Sequence, residues 1–152
     1  MNPRFFMCYF EATRACNQKC PHCMTRLDEN GTRSQLDTEE AKNLVLDEVK
    51  KICPTGAVAF SGGEFLMRDD ALDLLEYNTR AGLYSFVNTN GISLEPRLLE
   101  EIKKATGGRM SFGFSLDGID EQARRESSKG NLELLEHVMK MCDACGLGYF
   151  RI

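Results

Sequence analysis

The sequence predicts an α/β fold: a parallel sheet built from repeated βα units. Three observations carry this. Short apolar runs alternate with stretches of helical periodicity along the chain, the pattern of strands joined by crossover helices. Glycines stand where the periodic stretches end, at Gly82, Gly107-Gly108 and Gly146, as helix C-termini favour. The 152 residues amount to one domain, and the 42% that are hydrophobic suffice for a core.

The first strand is expected from Phe5 to Ala12, followed by a cysteine-rich loop. Asp37-Thr38-Glu39-Glu40 reads as a helix start, with Asp37 as N-cap and a glutamate three residues on. Ala41, Leu44, Val45, Val49 and Ile52 then mark one helical face. A second strand is expected from Ala57 to Phe60, with Gly62-Gly63-Glu64 just past its end. A helix through Ala71, Leu72 and Leu75 follows and stops near Gly82, and Leu83 to Val87 gives the third strand. Pro96 suits the first turn of the next helix, which runs through Leu98, Leu99 and Ile102. Met110 to Ser115 forms the fourth strand, Leu132, Leu135, Val138, Met139 and Cys142 stripe a fourth helix, and Leu147 to Ile152 opens a fifth strand.

Charge and composition remove several function classes. The net charge of −4 offers no basic footprint, so no nucleic-acid partner is expected. No apolar run approaches the length of a membrane span, so no membrane partner is expected. The start, Met1-Asn2-Pro3-Arg4-Phe5, lacks the charged-then-apolar layout of a secretory signal. Seven cysteines in such a chain argue for metal or redox use over disulfides, and for a cytoplasmic location.

The chemistry concentrates at Cys16, Cys20 and Cys23, a C-x3-C-x2-C run completed by Pro21 and His22. Soft thiolates select iron–sulfur clusters or zinc. Structural zinc takes four ligands, usually as two C-x2-C pairs, and no second pair follows this one. Iron–sulfur cubes are usually held by four cysteines; a cube held by three keeps one iron open to a non-protein ligand. Three thiols converging on one object suit a loop, and Pro21 keeps this segment from continuing as a helix. Packing cysteines have no reason to cluster on a polar, proline-containing stretch.

Three further motifs follow in order: Phe60-Ser61-Gly62-Gly63-Glu64, Asn88-Thr89-Asn90-Gly91 and Ser115-Leu116-Asp117-Gly118. Each falls at the carboxyl end of an expected strand, the end at which barrels and open parallel sheets bind ligands. With the cysteine run they make the chain resemble the radical S-adenosylmethionine (radical SAM) superfamily along essentially its whole length. The resemblance implies a partial (βα) TIM-like barrel with helices outside. About four and a half of the family's usual six βα units are present, so residues 1–152 are expected to be a core domain truncated within the fifth strand. An open barrel flank of that kind exposes a strand edge.

The resemblance further implies a [4Fe–4S] cluster on Cys16, Cys20 and Cys23, with S-adenosylmethionine chelated to its open iron. The reduced cluster gives one electron to the sulfonium, and the resulting 5′-deoxyadenosyl radical takes hydrogen from substrate. His22 matches the aromatic position beside the cluster. Gly62 and Gly63 allow close backbone approach, and Glu64 offers a carboxylate to the methionine amine. Ser115 and Asp117 match ribose-contacting positions, Asn90 a pocket position, and Arg125 the arginine near the methionine carboxylate, with Arg124 beside it. Read without the family, Gly-Gly-Glu and Asn-Gly are turn sequences and Asp117 is a helix cap. The Cys-Pro-His-Cys wording is similar to the branch with C-terminal auxiliary-cluster (SPASM or twitch) extensions. That implies a peptide or small-molecule substrate, in peptide or protein maturation or cofactor biosynthesis. It also implies an electron donor such as flavodoxin or ferredoxin. The alternative is an iron–sulfur or zinc module that binds or transfers electrons without cleaving the nucleotide.

The remaining cysteines read as structural. Cys142 and Cys145 share a helix face with Leu135 and Val138, Cys8 alternates within a strand, and Cys53 ends a helix. His137 is expected on an exposed face, and the scattered methionines as core filler.

Overall fold

The computed structural model describes residues 6–18, 20, 23, 35–114 and 132–151. His22, Ser115, Asp117, Arg124 and Arg125 lie outside the described residues.

Among the described residues, the strands β1 (Met7–Thr13), β2 (Ala57–Gly62), β3 (Tyr84–Thr89), β4 (Met110–Phe114) and β5 (Gly148–Arg151) form one parallel sheet in chain order. Every neighbouring pair is parallel. The helices α1 (Thr38–Ala41), α2 (Asp47–Ile52), α3 (Ala71–Arg80), α4 (Pro96–Thr106) and α5 (Leu132–Cys145) lie in the connections. Parallel neighbours require such crossovers. The sheet stays open, with β1 and β5 at its edges, as the expected partial barrel requires.

Strand alternation sorts the two faces. Phe10, Val58, Phe60, Val87, Met110, Phe112 and Phe114 join Leu74, Leu75, Leu99, Ile102 and Val138 of the helices in one buried core. The other face carries Tyr9, Tyr84, Phe86 and Phe150, where no described helix packs; Tyr9 is 62% exposed. Cys142 is buried in the core, Cys145 and Cys8 pack against it, and Cys53 caps α2. His137 is exposed. Met110 is buried and Met139 and Met141 pack on the core, but Met7 and Met67 are exposed, so methionine as core filler holds for only part of the set.

The first helical stretch departs from the expected stripe. Asp37 caps it through the foreseen capping box with Glu40. Between α1 and α2, however, Lys42–Leu46 winds as a π-helix. A π-turn sets residues five apart in line, so Leu46 rather than Leu44 follows Ala41 into the core. Ala41, Leu46 and Val49 are buried, whereas Leu44 is 62% and Ile52 45% exposed.

The strand ends also run further than the apolar pattern indicated. β2 includes Gly62 and β3 includes Asn88-Thr89. The polar residues at these strand tips stay within the ladder.

Candidate functional site

The ends of β1, β2 and β3 bring the first three motifs onto one rim. β1 does not stop pairing at Thr13. The Gly63 N–H donates to the Thr13 carbonyl (2.8 Å) and the Glu64 N–H to the Ala15 carbonyl (2.7 Å). The chain leading into Cys16 thus lies directly against Gly62-Gly63-Glu64. This contact explains the paired glycines. A Cβ on Gly62 would meet the Thr13 carbonyl oxygen at 2.1 Å, and one on Gly63 the Ala15 carbonyl oxygen at 2.2 Å. Gly62 also has φ +125°, a region reserved for glycine. The close backbone approach expected of these residues is made to the protein's own cysteine-bearing segment.

Glu64 sits at the base of this junction, 1% exposed. Its Oε1 accepts from the Leu66 N–H (3.3 Å) and its Oε2 from the Asn90 N–H (2.9 Å), and the Thr89 hydroxyl also bonds to it. Phe65 fixes the backbone here by stacking on Phe60, with ring centroids 4.7 Å apart. Burial pushes the Glu64 carboxyl above the usual range, and the bonds from Asn90, Thr89 and Leu66 oppose that rise. A carboxylate offers about four lone-pair sites. Among the described residues, three donors reach this carboxylate.

Asn90 bonds to the protein through three of its polar atoms. Its N–H serves Glu64, its Oδ1 accepts from the Ile92 N–H (2.9 Å), and its Nδ2 donates to Asn17 Oδ1 (2.7 Å). Asn17 in turn donates to Ser93 Oγ (3.2 Å). The sequence reading missed Asn17 and Thr89. Both lie within the motifs, Asn17 inside the cysteine run and Thr89 between Asn88 and Asn90, but their neutral polar groups match no metal-ligating or acid–base pattern. Through them the β3 loop is tied to the segment between Cys16 and Gln18.

The three cysteines are described and half-buried, and none is in a disulfide. The Cys23 N–H donates to the Cys20 carbonyl (3.1 Å), which joins the backbones of these two cysteines. The Cys16 thiol is pushed up by burial. A bond from the Gln18 backbone opposes this, while the charges of Glu64, Cys20 and Cys23 add to the rise. Cys16 is therefore an electrostatic neighbour of the other two cysteines and of Glu64. No three His, Cys, Asp or Glu side chains among the described residues are grouped to hold a single metal ion.

The sequence matches the family model of the Radical SAM superfamily over residues 10–151. The chain belongs to the radical SAM superfamily. It is 36% identical over 109 residues to the Fe-coproporphyrin III synthase of Methanosarcina barkeri, covering 72% of this chain and 26% of the relative. It is 30% identical over 142 residues to the AdoMet-dependent heme synthase of Nitratidesulfovibrio vulgaris, covering 93% of this chain and 36% of the relative. The chain thus spans only a quarter to a third or so of these relatives' length. Among solved structures, anSMEcpe with bound AdoMet superposes with a TM-score of 0.73 at 18% identity, over 98% of this chain and 42% of that one. Streptococcus suis SuiB bound to precursor peptide SuiA gives 0.75 at 14% identity, over 95% and 32%. These likenesses establish the fold of radical SAM enzymes. No helix among the described residues is long and apolar enough to cross a membrane.

Proposed function

We propose that residues 1–152 form one cofactor-binding core domain of a radical SAM enzyme. Cys16, Cys20 and Cys23 hold a [4Fe–4S] cluster, and Glu64 receives the amino group of S-adenosylmethionine. One observation carries the reading: the backbone entering Cys16 is hydrogen-bonded to the Gly62-Gly63-Glu64 turn, so a thiolate ligand and a buried carboxylate share one rim. The residues fit the group. The thiols are not in disulfides, soft thiolates suit iron–sulfur clusters, and the Glu64 carboxylate is a ready acceptor for a cationic donor. When bound, the cluster supplies the electron that cleaves the sulfonium of S-adenosylmethionine reductively.

The protein's own part is to bind and orient. Glu64, held by two backbone N–H groups and a hydroxyl, is a fixed anion that needs no reorganisation to meet an ammonium group. Asn90 maintains the contacts to Glu64 and Asn17. The proposed nucleotide contacts His22, Ser115, Asp117 and Arg125 complete the set by sequence. The substrate is a peptide or small molecule: relatives named as heme-pathway synthases and a structural neighbour bound to a precursor peptide support those two classes. The electron donor is of the flavodoxin or ferredoxin type.

The test is anaerobic reconstitution with iron and sulfide, addition of dithionite and S-adenosylmethionine, and chromatography for 5′-deoxyadenosine. The wild-type chain is expected to form it, and Cys20→Ala to form none and to retain substoichiometric iron. Cluster absorbance without 5′-deoxyadenosine would favour an iron–sulfur electron-transfer module, and bound zinc would exclude both readings.

A further inference from the structure

The β1–β2 ladder carries a bulge. Glu11 pairs with Ser61, yet Thr13 rather than Ala12 pairs with Gly62. A bulge leaves its extra residue out of the ladder, and bulges are rare in parallel pairs. The carbonyl of Ala12 is taken by Arg68, whose Nη1 donates to it at 2.5 Å. The same nitrogen donates to the carbonyl of Leu36 at 3.1 Å. These two carbonyls are the two ends of the segment that carries Cys16, Cys20 and Cys23: Ala12 at its entry from β1, Leu36 at its exit into α1.

The guanidinium is held rigidly. Its Nε and Nη2 make a two-pronged pair with Asp70, at 2.7 and 2.6 Å. Asp70 also accepts from the Thr38 hydroxyl at 2.6 Å, which ties the first residue of α1 to the same cluster. The Arg68 side chain is 2% exposed, and four of its five N–H donors are engaged. A buried arginine reaching two distant main-chain carbonyls serves no packing need that an apolar residue would not meet at lower desolvation cost.

We propose that Arg68 is the positioning residue of the cysteine segment, its guanidinium clamping both stems so that the three thiols are presented together. The cofactor consequence rests on the cluster reading above, whereas the clamp itself does not. The planar fork performs a task that a lysine point charge cannot, because one ammonium lacks the geometry to span two carbonyls and a bidentate carboxylate.

The test uses the full chain with Arg68→Met, Arg68→Lys and Thr38→Val. Hydrogen exchange on the apo proteins is read for peptides covering 12–18 and 35–41, with β3 and β4 as internal references. Loss of iron to a chelator is read on the reconstituted proteins. Both Arg68 variants are expected to speed exchange in the two stem peptides by on the order of tenfold, the factor that one lost charge-assisted hydrogen bond represents. β3 and β4 stay protected, and iron loss accelerates in step. Thr38→Val keeps the fold and loosens only the 35–41 peptide. Unchanged stem exchange in the Arg68 variants would overturn the proposal. So would equal loosening of β3 and β4, or full rescue by lysine. If the Arg68 variants fail to fold, Thr38→Val decides: loosening confined to 35–41 supports the clamp, and unchanged exchange there overturns it. A wild-type chain that takes up no iron would remove the cluster reading and leave the exchange result to judge the clamp.

Discussion

Replacing Gly63 by alanine tests the junction between the cysteine segment and the Gly-Gly-Glu turn. The added Cβ would sit 2.2 Å from the Ala15 carbonyl oxygen and 2.8 Å from its carbon. Real Cβ atoms essentially never approach closer than 3.0 Å, and the clashing atoms are backbone, so the two segments must part by close to an ångström. That breaks the Glu64-to-Ala15 bond (2.7 Å) and weakens the Gly63-to-Thr13 bond (2.8 Å). Each broken backbone bond costs about 1 kcal/mol, rising to about 3 kcal/mol where a buried group is left unpaired. The expected loss is therefore roughly 2–5 kcal/mol, a large part of a typical domain's 5–15 kcal/mol. Gly107 is the control: it has φ +57° but nothing within 4 Å of an added Cβ, so Gly107→Ala loses only about 1–2 kcal/mol of left-handed strain. Urea unfolding of the two variants and the wild type, followed by circular dichroism, measures the difference. Gly63→Ala no less stable than Gly107→Ala would refute the close approach on which the site is built.

Glu64→Gln is expected to weaken S-adenosylmethionine binding roughly 10- to 100-fold, the worth of a hydrogen bond to a charged group, with iron content near normal; equal affinity in titration calorimetry would contradict the role. Because burial raises the Glu64 carboxyl in the folded state, the ionised form is penalised on folding. That penalty is full above the folded pKa and gone below the unfolded one. The apo wild type should accordingly gain stability relative to Glu64→Gln as the pH falls through that window, as melts at two pH values will show. On the first helical stretch, Leu46→Ala should cost about 2–5 kcal/mol, while Leu44→Lys should stay within about 0.5 kcal/mol; the reverse order in chemical denaturation would rule out the π-turn.

Much of this was legible in the sequence because it rests on local rules. Short apolar runs between helical stretches gave the strands, and the Asp37–Glu40 box gave a helix start that the structure reproduces. The cysteine spacing and Gly62-Gly63-Glu64 stood out by residue type. What stayed hidden depends on contacts distant in sequence. A π-turn between α1 and α2 leaves no mark in composition, and it moved Leu44 outward and Leu46 inward. Gly62 and Gly63 signal a close backbone approach, but not that the partner is the Thr13–Ala15 backbone. Arg68 gave no signal, because its partners are main-chain carbonyls 56 and 32 residues away.

In the proposed function, Cys16, Cys20 and Cys23 hold an iron–sulfur cube whose open corner takes the amino acid end of S-adenosylmethionine. Low-temperature EPR of the reconstituted, dithionite-reduced chain, recorded before and after adding that nucleotide, tests it most directly. A reduced-cluster signal whose g-values and line shape shift on addition is the predicted result. A signal indifferent to the nucleotide at saturating concentration would contradict the account.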